Sequence, residues 1–161
     1  MNIISEMIEL HVFHIGKIGL EFLLLKRSDK DIYPGLWQMV SGHIIENETA
    51  VSAALRELKE ETNLIPLHLW VAPNVNSFYS ADKDYISVIP VFAARVTENA
   101  KVIISDEHTE YIWVNASKAK NLLAWEGQRK SVDLIEEYFL NEMNFLKFIE
   151  VNLSPGPENG K

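Results

Sequence analysis

No cysteine occurs among the 161 residues. That excludes disulfide bonds and thiol chemistry, and it makes a reducing, cytoplasmic setting the expectation. No apolar run is long enough to cross a bilayer, and the start, MNIISEMIEL, lacks the basic head and apolar stretch of a signal peptide. No membrane partner is therefore expected. Positive charge is also scarce: 15 Lys and Arg stand against 23 Asp and Glu, and the net charge of -8 argues against nucleic acid as a partner. A small anionic substrate stays allowed, because bound divalent cations reverse the sign locally. Internal repeats and interdomain linkers are missing too. Residues 1–150 are thus expected to form a single domain, and residues 151–161, ending in SPGPENGK, a disordered tail.

What is present has the periodicities of a mixed α/β domain. Glu6 to Ile15 and Leu20 to Leu25 read as strands around the turn-like GKIG, and Trp37 to Val40 as a short strand after the Pro34-Gly35 turn. From Thr49 to Thr62 the period becomes helical, with Thr49 suited to cap the start and Asn63 to end it. Leu67 to Ala72, Tyr85 to Val96 and Thr109 to Val114 read as strands, with a bulge or an edge expected at Pro90. Ala116 to Leu123 and Gln128 to about Phe148 read as helices, the second carrying an apolar stripe through Val132, Ile135, Phe139, Met143 and Leu146. Without strict βαβ alternation, the pattern favours a mixed sheet covered by helices.

The most informative stretch runs from Gly42 to Leu64, GHIIENETAVSAALRELKEETNL. At about 100° per residue, Val51, Ala54, Leu55, Leu58 and Thr62 form one stripe, expected to face the core. Glu57, Glu60 and Glu61 gather on another side beside the small Ala50 and Ala53. Like charges at this spacing destabilise a bare helix, and so does their position near its C-terminal half. Two readings stand open: a solvated face diluted by Lys59 and Arg56, or a cradle for a hard divalent cation such as Mg²⁺, which prefers carboxylate oxygens. Gly42 permits close backbone approach, and Arg56 can reach Glu60 or Glu48 to fix a carboxylate.

These residues resemble a known motif. Gly42, Glu48 and the run Arg56-Glu57-Leu58-x-Glu60-Glu61-x-Asn63-Leu64 are similar to the Nudix box, G-x5-E-x7-R-E-U-x-E-E-x-G-U, with U aliphatic. The one departure is Asn63 in place of the last glycine, and asparagine is the next-best residue for a left-handed helix end. FLLLKRSDKDIYPGLWQMVSGHIIENE, EHTEYIWV and LLAWEGQ resemble the branch that hydrolyses dihydroneopterin triphosphate and dATP. The likeness covers roughly residues 5 to 140.

The resemblance implies an α/β/α sandwich and a Mg²⁺-dependent (or Mn²⁺-dependent) pyrophosphohydrolase that splits a nucleoside or pterin triphosphate into monophosphate and pyrophosphate. It implies that Glu57, Glu60, Glu61 and Glu107 bind metal, with the Gly42 carbonyl as a further ligand. Glu60, Glu57 and Arg56 would carry the catalysis, one glutamate acting as general base, while Glu48 supports them from behind. Glu110 is the neighbour that could take the place of Glu107. Arg27 is expected to meet phosphate, and Trp37 and Tyr79, with Phe78 and Trp125 as further candidates, to stack on the ring. Gln38 and Gln128 could hydrogen-bond that ring. His11 and His14 lie three apart on a strand and so point to opposite faces; His43 and His108 stand beside the expected site, where a structural role is the simpler reading. Alternatives are a Nudix hydrolase acting on a diadenosine polyphosphate or ADP-ribose, and a non-catalytic nucleotide-binding module. The protein is expected to be a monomer or homodimer.

Overall fold

The computed structural model describes residues 1–141 and 147–154. Among the described residues, nine strands join in one mixed sheet. The long hairpin β2 (Met7–Gly16) and β3 (Gly19–Arg27) pairs only near its turn, from Phe13↔Phe22 to Gly16↔Gly19. Beyond that the two strands separate, and the strip β4 (Trp37–Gln38) and β5 (Val40–His43) fills the wedge, β4 on β3 and β5 on β2. This wedge matters for function, because it brings Gly42 between the two strands on the sheet's inner surface.

The other edge of β2 takes β7 (Tyr85–Arg95) in parallel. β7 also pairs with the short β1 (Asn2–Ile4) and with β6 (His68–Ser80), and β9 (Ile149–Glu150) closes the far edge. β8 (His108–Asn115) lies on the outer edge of β3. Opposite Pro90 the register of β6 shifts between Val71 and Val75; proline cannot donate to the ladder, so an irregularity forms beside it.

Alternation along β3 sorts the core. Leu23 and Leu25 pack with Leu10, Ala54 and Leu58 beneath α1 (Ala50–Thr62). Phe22 and Leu24 face the opposite way, with Phe13, Val132 and Ile135 beneath α2 (Ala116–Leu122) and α3 (Glu126–Leu140). The result is a helix–sheet–helix sandwich, as the sequence pattern and the resemblance imply.

Three expectations need correction. The strand expected to stop at Ala72 continues to Ser80, since pairing with β7 overrides the polar run PNVNS. The last helix begins at Glu126 and ends at Leu140, short of Phe148, and Ile149 and Glu150 are a strand; Met143 and Leu146 lie outside the described residues. The N-terminal Asn2–Ile4 is also a strand, too short to signal itself by periodicity.

Candidate active site

α1 begins where Thr49, in extended conformation, accepts a hydrogen bond from the Ser52 N–H at 3.1 Å, and it ends at Asn63 in the left-handed conformation (φ 59°). Its buried face differs from the expected one. Ala53, Ala54, Glu57, Leu58, Glu61 and Thr62 are buried, whereas Val51 and Leu55 are only partly so. Residues four apart lie nearly in line on a helix. Ala53, Glu57 and Glu61 therefore form one ridge against the sheet, and Glu60 turns away to solvent. The three glutamates do not share one face: two are inside and one is at the rim.

Gly42 explains how Glu57 fits. A side chain at position 42 would overlap the Glu57 carboxylate, so this glycine is required by close approach and not by backbone conformation.

Arg56 ties the loop to the helix. Its Nε and Nη2 donate to the two Glu48 oxygens at 2.8 and 2.9 Å. Nη2 also reaches the His43 carbonyl at 2.8 Å, and Nη1 donates to Glu57 at 2.6 Å and Glu60 at 3.1 Å. The Ile45 N–H adds a bond to Glu48 at 3.1 Å. The Arg56 guanidinium holds the Glu48 carboxyl below the usual carboxylate range, and Glu48 in turn makes Arg56 harder to deprotonate. Arg56 was expected to reach Glu60 or Glu48; it reaches both.

Glu61 is in the opposite situation. It is 2% exposed, and its Oε2 is buried without a partner. Burial, followed by the nearby charges of Glu57 and Glu107, pushes its pKa up to about 9. Burial also raises Glu57, against the pull of Arg56. Glu61, Glu107 and His108 each bring one potential ligand atom within 4.8 Å of the others.

Glu110 points elsewhere, bonded to Lys26 at 2.8 Å, so of the two neighbours it is Glu107 that meets the helix. A β-bulge produces this separation: Lys26 pairs with Glu110 but Arg27 pairs with His108, leaving Thr109 as the extra residue. The orphaned oxygen and the convergent carboxylates suit a hard cation, which prefers oxygen ligands and would relieve the repulsion.

The remaining candidates are dispersed. Arg27 donates to the Ile32 carbonyl at 2.6 Å and to Gln38 Oε1 at 3.1 Å, and the Gln38 amide meets His108 Nε2 at 3.0 Å. Trp37 is half-buried, with the Lys26 ammonium 5.8 Å from its ring centroid. Tyr79 and Phe78 are exposed on the β6–β7 hairpin, where Tyr79 bonds Asp84 at 3.0 Å. Trp125 is exposed and meets Tyr33 edge-on. His43 is exposed, and its carbonyl takes the bond from Arg56.

A second polar cluster, which the sequence did not signal, lies on the α3 face. Buried Glu9 accepts hydrogen bonds from the amides of Asn76 and Gln128, and Asn74 links Asn76 to Ser131. Alternating apolar residues around Glu9 mark only a strand, so nothing local shows which amides will meet it.

The NUDIX domain family matches residues 12–135. The bis(5'-nucleosyl)-tetraphosphatase [asymmetrical] of Rattus norvegicus is 30% identical over 120 residues, 73% of this chain and 80% of that protein. The dihydroneopterin triphosphate diphosphatase of Escherichia coli K12 is 29% identical over 131 residues, 74% of this chain and 83% of that protein. The E. coli dihydroneopterin triphosphate pyrophosphohydrolase structure has the same fold, with a TM-score of 0.67 at 23% identity, covering 84% of this chain and 94% of that one. One relative is much longer: this chain spans 28% of the octanoyltransferase of Myxococcus xanthus, at 31% identity over 99 residues, 61% of this chain.

Proposed function

Because this chain belongs to the Nudix hydrolase family, whose members use divalent metal and act on nucleoside polyphosphates, we propose that it is a Mg²⁺-dependent pyrophosphohydrolase of a nucleoside or pterin triphosphate. The observation that carries this reading is the buried Glu61 carboxylate, left with an orphaned oxygen beside Glu57 and Glu107. In this reading Glu57, Glu61 and Glu107 hold the metal, Mg²⁺ or Mn²⁺, with the Gly42 carbonyl as a further ligand. When bound, such an ion would neutralise the diphosphate and make water at the site more acidic.

Arg56 holds Glu57 and Glu60 in fixed directions from behind, and Glu48 anchors Arg56. Glu60, at the solvent rim with a hydrogen bond from Arg56, is placed to take the proton from the attacking water. Attack at phosphorus breaks one phosphoanhydride bond and yields a monophosphate and pyrophosphate. Trp37 and Tyr79 are candidates to stack on the ring, Gln38 to hydrogen-bond it, and Arg27 to meet the phosphate. The cysteine-free chain suits a reducing cytoplasm.

The rat relative supports a second substrate class, a dinucleoside polyphosphate. A panel assay separates the two: with Mg²⁺, pyrophosphate should appear from a pterin or purine nucleoside triphosphate, whereas two unequal nucleotides from a dinucleoside tetraphosphate favour the second class. Glu60→Gln should lower turnover about 100-fold or more with an unchanged fold; full activity in that variant removes Glu60 from the mechanism.

A further inference from the structure

His108 stands with Glu61 and Glu107 as though it were a third ligand, but its hydrogen bonds argue otherwise. Arg27 carries only donors, and its Nη1 lies 3.1 Å from Gln38 Oε1. That contact fixes the orientation of the Gln38 amide: the oxygen faces Arg27 and the NH₂ faces His108. The amide nitrogen is 3.0 Å from His108 Nε2. Two donors cannot share that contact, so Nε2 offers its lone pair. A neutral imidazole has one N–H, and here it must sit on Nδ1. The opposite tautomer would require the Gln38 amide to flip, turning its NH₂ against the Arg27 guanidinium.

His108 is 5% exposed, and its Nδ1 is buried with no partner. Two orphaned atoms thus belong to one group of side chains: the acceptor Glu61 Oε2 and the donor His108 Nδ1–H. The potential ligand atoms of Glu61, Glu107 and His108 lie within 4.8 Å of one another. One oxygen atom, at about 2.8 Å from each of its neighbours, would bridge such a separation. An N–H cannot coordinate a cation, but it can bind an anionic oxygen.

We propose that His108 is a hydrogen-bond donor of the reaction centre, with its tautomer set by the Arg27–Gln38 relay, and that its Nδ1–H donates to a substrate phosphate oxygen while His108 itself stays outside the metal's ligand set. The donor assignment stands on the hydrogen-bond geometry. Only the identity of the acceptor rests on the phosphohydrolase reading above. The relay also gives Arg27 and Gln38 a positioning role, through His108, in addition to any contact with substrate.

The test is ¹⁵N NMR of the full chain, with the His108 resonance assigned by its loss in His108→Ala. The metal-free protein should show the Nδ1–H tautomer, and Mg²⁺ should leave that proton in place. An Nε2–H tautomer, or loss of the Nδ1 proton when metal binds, overturns the donor assignment. Gln38→Glu replaces the amide donor with an acceptor and should switch the tautomer; an unchanged spectrum refutes the relay. Adding methylenediphosphonate with Mg²⁺ should shift the Nδ1–H resonance, and no shift at saturation removes phosphate as the acceptor while leaving the tautomer result intact.

Kinetics supply an independent readout. His108→Asn places an amide N–H near the position of Nδ1 and should keep turnover within about tenfold, whereas His108→Ala should lose about 100-fold. Both should bind Mn²⁺ within about threefold of the parent, and a larger loss in both makes His108 a ligand after all.

Discussion

Glu9 and Glu61 are both carboxylates buried in this sandwich, on opposite faces of one sheet, and burial raises the pKa of each. They differ in what meets them. Glu9 is received by the amides of Asn76 and Gln128, neutral donors that solvate a carboxylate without asking for a cation. Glu61 has one backbone hydrogen bond, from Ser41, but it otherwise faces the carboxylates of Glu57 and Glu107, and its Oε2 meets nothing. Burial alone therefore does not mark a site. Burial with the wrong company does, because a fold that confines like charges together leaves free energy for a cation to recover.

The largest test of this contrast is a pair of isosteric changes. Glu61→Gln should reduce turnover about 1,000-fold and weaken Mn²⁺ binding, since in the proposed mechanism it removes a charge that faces the metal. Glu9→Gln should leave turnover within about threefold and metal affinity unchanged. Equal losses in steady-state kinetics would erase the distinction.

Gly42→Ala comes next, at about 100-fold in turnover, because its methyl group occupies the space of the Glu57 carboxylate. Thermal unfolding should shift less than turnover, as the helix can move slightly aside. A fully active Gly42→Ala would mean that Glu57 has room elsewhere.

The smallest effect concerns pH. The Glu61 carboxyl titrates near 9 when folded and near its ordinary 4.5 when unfolded. Between those values the folded state binds more protons, so this group's contribution is full below about pH 4.5 and is lost as pH rises towards 9. Metal-free protein should accordingly lose several degrees of Tm from pH 5 to pH 9. Saturating Mg²⁺ should flatten that slope, and so should Glu61→Gln, whereas Glu9→Gln should keep most of it. A metal-free Tm that rises over this range contradicts the assignment.

Much of the Arg56 side of the site was legible from sequence, and much of the His108 side was not. Gly42, Glu48, Arg56 and the three helix glutamates lie within one segment, where fixed spacing on a helix determines geometry. Helical spacing alone left Glu57, Glu60 and Glu61 together on one side and did not separate the buried Glu57 and Glu61 from the exposed Glu60, because periodicity weighs apolar residues and cannot anticipate a carboxylate seated over a glycine. His108 opens β8 and Glu107 directly precedes it, 46 and 45 residues beyond the end of the helix at Thr62, and a one-residue bulge at Thr109 decides which side chains point inward. Nothing in EHTEYIWV announces that bulge. The Glu9 cluster was hidden for a similar reason: β2, β6 and α3 supply its members, and only the completed sandwich brings them together.

The five N–H groups of Arg56 already have five acceptors among Glu48, Glu57, Glu60 and the His43 carbonyl. This cation has no donor to spare for an incoming anion, however close the phosphates come. Its charge is committed to the scaffold, so in the proposed mechanism the charge of a polyphosphate would be answered by other groups: bound cations, Arg27 and the His108 N–H. In that mechanism turnover would follow divalent cation supply, and the most prominent arginine in the motif would act as masonry and not as a grip.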